Sequence, residues 1–216
     1  MRNSDAIHEL ERDLRGIFAQ RLRSLVVYGA ADAHDGPVAT LAVVDTVSVA
    51  DLRGCAERTA AWHGRGLATP LILEADEFGR SLDAFPFEFG AILADHELVS
   101  GISPFTGLSV DAGDLRRACE VQARSHLLHL REGFMETGGQ NDRLADLLVH
   151  SASPLAALLK NLRRLPSAPL PAGVLARIAE LAPNGTISSD EARRLFPDYL
   201  GAIDALGDAL DSWSEA

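Results

Sequence analysis

Four carboxylates carry most of the chemical potential of this chain. Asp32, Asp35 and Asp45 stand at the ends of two short apolar runs, residues 24–28 and 38–44, where pairing of the runs would gather them near one end of a sheet. Glu88 sits inside a further apolar stretch, residues 85–93. Carboxylates gathered in this way could form an acidic site. Each also has a plainer reading. Asp beside Gly and Pro is a favoured loop residue, which accounts for Asp32 and Asp35, and Glu88 reads as a solvated residue on an edge strand. Gly29, which closes the first run, answers a backbone need. Cys55 and Cys119 lie far apart without a Cys-x-x-Cys or histidines at ligand spacing, so both read as buried small apolar residues rather than a metal or disulfide framework. P-loop, dinucleotide-binding and nucleophile-elbow motifs are absent.

The elements that would position these groups follow from periodicity. Residues 5–23 carry Ile7, Leu10, Leu14, Ile17, Phe18 and Leu22 at helical spacing. Two strands, 24–28 and 38–45, flank a Gly/Pro turn. Ser48 or Asp51 then caps a helix to about residue 65 with Leu52, Cys55, Ala56, Thr59 and Trp62 inward. Residues 69–73 read as a third strand, 85–93 as a fourth with Pro86 at its edge, and 96–104 as a short strand-and-turn return. Tyr28, Trp62, Phe85, Phe87 and Phe89 could line a pocket, though aromatics in such elements are more often core.

Beyond residue 109 only helices are expected: 111–137, 141–165 with Pro154 imposing a kink or break, 174–181 after a proline-rich turn at 165–171, and a last helix opened by a Ser188/Glu191 capping box. That helix carries Leu195, Tyr199, Ile203, Leu206, Leu210 and Trp213 as one apolar stripe.

With 216 residues, 47% hydrophobic and 24% charged, the chain belongs to the globular class and has room for one two-layer domain or two small ones. No apolar run reaches the roughly 18 residues that a spanning helix needs, and the start lacks a signal-peptide core, so no membrane and a cytoplasmic setting are expected. A net charge of −11 disfavours nucleic acid as a partner.

Residues 24–45, Ser-Leu-Val-Val-Tyr-Gly-Ala followed by Val-Ala-Thr-Leu-Ala-Val-Val-Asp after the turn, resemble the opening of a nucleotidyltransferase-fold domain of the kanamycin-nucleotidyltransferase kind. There strand one ends in Gly-Ser and the next strand carries Asp-x-Asp before an apolar run. Here Gly29-Ala30 stands for Gly-Ser, and Val38 and Thr40 stand where the two metal-binding aspartates belong. Glu88 resembles the third carboxylate. Separately, Arg124/His129 and Arg143/His150 are similar to the Arg-x(4-6)-His motif of HEPN ribonucleases. Chance predicts roughly two such pairs here, and four occur, with Arg2/His8 and Arg58/His63, so the spacing discriminates poorly.

The resemblance implies an α/β nucleotidyltransferase-like domain, a mixed sheet of roughly four strands with flanking helices over residues 1–108, followed by an all-α helical bundle over 109–216. The missing residues imply a catalytically degenerate member that binds a small molecule or nucleotide, or serves assembly. Its ligand would meet Gly29, Ala30, Asp32, Asp35 and Asp45, with no metal and no cofactor. An active enzyme would instead take magnesium and a nucleotide on carboxylates relocated among Asp32, Asp35, Asp45 and Glu88. A homodimer is a further expectation, from the stripe between Leu195 and Trp213 and the dimers that similar proteins form.

Overall fold

The computed structural model describes residues 4–29, 36–166, 168, 173–182 and 184–213. The chain divides into two compact units, Met1–Val110 and Asp111–Ala216. Among the described residues no helix is long and apolar enough to cross a membrane.

Helix α1 (Ser4–Phe18) buries Ile7, Leu10, Leu14 and Phe18 along one stripe. It ends five residues earlier than periodicity predicts, because Ala19 takes a left-handed φ of 52° and a 3-10 turn, Ala19–Arg21, hands Leu22 to the sheet. Strand β1 (Leu22–Tyr28) pairs antiparallel with β2 (Ala39–Val44). Helix α2 (Val49–Gly64) leads to β3 (Leu71–Glu74), which joins β2 in parallel. The short helices α3 (Glu77–Arg80) and α4 (Glu88–Ala94) follow, and β4 (His96–Gly101) returns antiparallel to β1. The four strands lie in the order β3-β2-β1-β4.

Ser48 is the cap of α2. Its Oγ accepts from Asp51 N while the Asp51 carboxylate accepts from Ser48 N, a reciprocal capping box. The same carboxylate takes the Arg21 fork at 2.7 and 2.8 Å, and that guanidinium holds it well below the usual carboxylate range. With Asp51 turned inward, the buried side of α2 runs through Asp51, Cys55 and Trp62. Leu52 and Ala56, expected inside, are exposed.

The sheet separates two cores because successive strand residues face opposite ways. On one face Leu25, Val27, Ala42 and Val44 meet Ile7, Leu10, Leu14 and Phe18 of α1 and Cys55 and Trp62 of α2. On the other, Val26, Leu41, Val43 and Leu73 meet Phe78, Phe89, Ile92 and Phe105. The expected strand over 85–93 is instead helical. Phe85, Phe89 and Ile92 recur at steps of four and three, Phe89 N bonds to Phe85 O, and Pro86 stands at the start, where a missing N–H costs nothing. Phe89 then stacks on Phe78 with centroids 4.5 Å apart. The fourth strand is β4.

The second unit consists of α5 (Ala112–Glu136), α6 (Asn141–Leu162), α7 (Val174–Ala179) and α8 (Ser189–Asp211). Asp111 caps α5 by accepting from Gly113 N and Asp114 N. Helix α6 runs through Pro154 without ending. Most of the proline-rich turn that follows lies outside the described residues. Ser188 caps α8 by accepting from Glu191 N, but the expected box is only half made, because the Glu191 carboxylate pairs with Arg177 on α7. Phe196, Tyr199, Ile203, Leu206 and Leu210 of α8 are buried. Of the stripe expected from sequence, Tyr199, Ile203, Leu206 and Leu210 are buried, while Leu195 and Trp213 at its ends are half-buried.

Candidate functional site

The end of β1 and the start of β2 are where the sequence places a nucleotide site. Gly29 adopts φ 68°, a left-handed conformation that glycine takes without steric cost, and its N–H bonds to Asp95 O at 3.1 Å. Ala30, Asp32 and Asp35 lie outside the described residues. Val38 forms a parallel bridge with Leu67, with Val38 N donating to Gly66 O and Ala68 N donating to Val38 O. Its half-buried side chain packs against the core shared with α1 and α2. Thr40, two residues on, faces the same way. It pairs with Val27, is fully buried, and its hydroxyl meets no hydrogen-bond partner.

Position 40 thus looks into closed apolar packing, and position 38 is half-buried against the same core. The opposite face of β2 carries Ala39, Leu41 and Val43, so neither face of this strand presents a carboxylate. Asp45 follows β2 directly, where its Oδ1 accepts from Arg23 Nε and its N–H bonds to Arg21 O. Glu88 is exposed in the first turn of α4, not on an edge strand. Since α4 packs its Phe89 and Ile92 on the far side of the sheet from Val38, Glu88 does not join positions 38 and 40. A two-magnesium centre needs several carboxylate oxygens converging on each ion, and the described residues do not fit it. Among them no group of three or more His, Cys, Asp or Glu is placed to hold a metal ion.

The arginine–histidine pairs on the helices do not converge either. Arg124 reaches across to Asp208 at 2.9 Å and Asp204 at 3.6 Å on α8, which occupies its guanidinium. His129 is exposed beside Glu132, Arg143 is exposed, and His150 Nδ1 lies 2.7 Å from Asp146 O of its own helix. Arg124 is an interhelical tie in this arrangement.

A polar cluster in the second unit escaped the reading of the sequence. His126 Nε2 on α5 lies 2.6 Å from the Tyr199 hydroxyl on α8, which lies 3.1 Å from Ser151 Oγ on α6. Ser151 donates to Leu148 O at 2.8 Å. One proton assignment satisfies the whole chain: His126 Nε2–H donates to Tyr199, Tyr199 donates to Ser151, and Ser151 donates to Leu148 O. Burial drives the His126 pKa down to about 4 and pushes the Tyr199 hydroxyl up. The cluster is a neutral brace between three helices. Its signal in sequence was a histidine and a tyrosine at core-facing positions of two amphipathic helices.

No family model matches the chain, and no curated protein matches it. Among solved structures it is similar to a crystal structure of the spectinomycin adenyltransferase AAD(9) from Enterococcus, determined with ATP and spectinomycin. The likeness has a TM-score of 0.51 and covers 96% of this chain and 99% of that one at 13% identity. At that identity it speaks to fold alone. The mixed four-stranded sheet with flanking helices and the helical region after it are a nucleotidyltransferase-like fold.

Proposed function

We propose that this chain is a catalytically degenerate nucleotidyltransferase-like protein that acts as a small-ligand-binding or assembly module. The observation that carries the reading is the closed setting of Thr40: the strand that should present metal-binding aspartates offers no carboxylate on either face. Of the carboxylates that the active alternative would relocate, Asp45 is tied to Arg23 and Glu88 stands on a helix beyond the opposite face of the sheet, while Asp32 and Asp35 lie outside the described residues. A ligand is proposed because the structural neighbour was solved with ATP and spectinomycin. A nucleotide or another small polar molecule meeting Gly29, Ala30, Asp32 and Asp35 is the corresponding class here.

The test combines calorimetry with a turnover assay, using the full chain, ATP, magnesium and spectinomycin. No magnesium-stimulated pyrophosphate release is expected, and chelation with EDTA should leave nucleotide affinity unchanged. Pyrophosphate release that rises with magnesium would overturn the degenerate reading. Complete absence of nucleotide binding would remove the ligand arm and leave assembly.

A further inference from the structure

Strands β1 and β4 set two polar side chains next to one another at one end of the sheet. Tyr28, the last residue of β1, lies opposite His96, the first of β4, with Ala39 of β2 on its other side. All three fall on the face that carries Val26 and Leu41, away from Thr40. His96 is exposed, yet its ring is fixed. Its Nδ1 lies 3.0 Å from Ile92 O and 3.2 Å from Leu93 O at the end of α4, so Nδ1–H donates and, in the neutral ring, Nε2 is left as an acceptor. The ring also stands edge-on to Phe105, with centroids 4.6 Å apart. Tyr28 is half-buried against the same aromatic core, and burial pushes its hydroxyl pKa up, which keeps it protonated and able to donate. Among the described residues neither the Tyr28 hydroxyl nor His96 Nε2 has a hydrogen-bond partner. Leu98, the next residue of β4 on this face, is 40% exposed.

We propose that this corner of the sheet is a nucleobase subsite, in which an aminopurine edge donates its exocyclic N–H to His96 Nε2 and accepts from the Tyr28 hydroxyl at a ring nitrogen. The match is one of donors and acceptors. Cross-strand neighbours stand about 5 Å apart, close enough for one ligand edge to meet both. A fixed acceptor beside a donor is the complement of adenine, where an amino group adjoins a ring nitrogen. Ala39 is small enough to leave room beside Tyr28, and Leu98 offers the ring an apolar flank. Gly29 follows Tyr28 directly, so a base held here leaves its sugar and phosphates at the β1–β2 turn. The subsite rests on the nucleotide reading proposed above and adds to it the position of the base, on the sheet face opposite Thr40.

Calorimetry and nitrogen NMR of the imidazole rings, on the full chain with adenosine, test it. Adenosine carries no phosphate, so its binding reports the subsite alone. It should bind with a Kd on the order of 1 mM and shift the Nε2 resonance of His96. Tyr28→Phe should weaken it several-fold. His96→Asn, whose amide N–H can replace Nδ1–H at the end of α4 while Nε2 is lost, should weaken it about tenfold, both variants melting near the wild-type temperature. Purine riboside, which has no amino group, should bind several-fold more weakly than adenosine to the wild type and equally to His96→Asn. Adenosine binding that is unchanged in both variants, or no stronger than that of purine riboside, would overturn the subsite. ATP binding that persists in both variants without any binding of adenosine would also overturn it, but would leave the ligand reading standing. Failure of ATP and adenosine alike to bind the wild type would remove both.

Discussion

Thr40 of β2 lies opposite Val27 of β1, and its hydroxyl is enclosed between them and the α1/α2 core with no hydrogen-bond partner. A buried, unpaired hydroxyl costs about 1–3 kcal/mol. Thr40→Val removes it at nearly constant shape and should stabilise the protein by roughly 1 kcal/mol. Urea unfolding with an unchanged m-value would show it. Destabilisation by Thr40→Val would mean that the hydroxyl has a partner.

Aspartate at the same place should do the reverse. Val38→Asp with Thr40→Asp imitates the metal-binding pattern of the family that the sequence resembles, yet both side chains would enter apolar packing away from Glu88. Burial of an unpaired carboxylate is among the most costly substitutions, commonly above about 3 kcal/mol. The double variant should lose stability sharply and gain no magnesium binding. Magnesium-dependent nucleotide binding by a folded double variant would show that positions 38 and 40 open onto a site.

The first half of the chain was legible as an α/β domain because its strands are short apolar runs and its first helix has a clean stripe. What sequence misjudged shares a physical cause. Residues 85–93 are apolar at nearly every position, and such a run fits a buried strand or a short helix equally until tertiary partners decide. Here Phe78 decides, stacking on Phe89 while its ring also meets Phe105. Hydrophobicity alone predicts Leu52 inside, but Asp51 takes the inner position because Arg21 and Ser48 satisfy its charge. At the candidate site, residue types alone revealed the missing aspartates. That Thr40 faces a closed core required the strand register, which sequence does not fix.

Two glycines with similar φ values should respond differently to alanine. Gly29 has φ 68°, and among the described residues no atom lies within 4 Å of an added Cβ, so Gly29→Ala should cost mainly backbone strain, about 1 kcal/mol. Gly101 has φ 86°, and a Cβ there would lie 1.9 Å from Arg23 O in the neighbouring strand. Relief requires β4 to part from β1, so Gly101→Ala should cost several times more. Paired thermal melts test the contrast; equal losses would contradict the close approach of β4 to β1.

Both cysteines are free and buried, Cys55 against α1 and Cys119 inside the helical unit. Burial pushes the Cys119 thiol up to about 12 and raises Cys55 as well, which suppresses the reactive thiolate. A disulfide reagent at pH 8 should modify neither quickly in the native protein and both at once in denaturant. Fast native labelling of Cys119 would reveal frequent local opening of the bundle.

The His126 brace predicts an acid-sensitive helical unit. In the unfolded chain this histidine titrates near 6.5, whereas in the fold it does so at about 4, mainly because burial opposes the charge. The unfolded state therefore binds more protons than the native state between those values. Stability should fall as pH drops from about 6.5 to about 4 and then level off with respect to this group, by up to roughly 3 kcal/mol. His126→Gln, which keeps a donor for Tyr199 but does not titrate, should flatten that part of the profile. Tyr199→Phe should instead lower stability near neutral pH by roughly 1–2 kcal/mol, since it leaves the buried His126 Nε2–H without its acceptor while Ser151 keeps its bond to Leu148 O. Urea denaturation of the three proteins at pH 7, 5.5 and 4 decides the matter: an unchanged pH slope in His126→Gln would show that His126 is not held neutral in the fold, and a Tyr199→Phe variant as stable as wild type at pH 7 would show that the hydrogen bond is no brace.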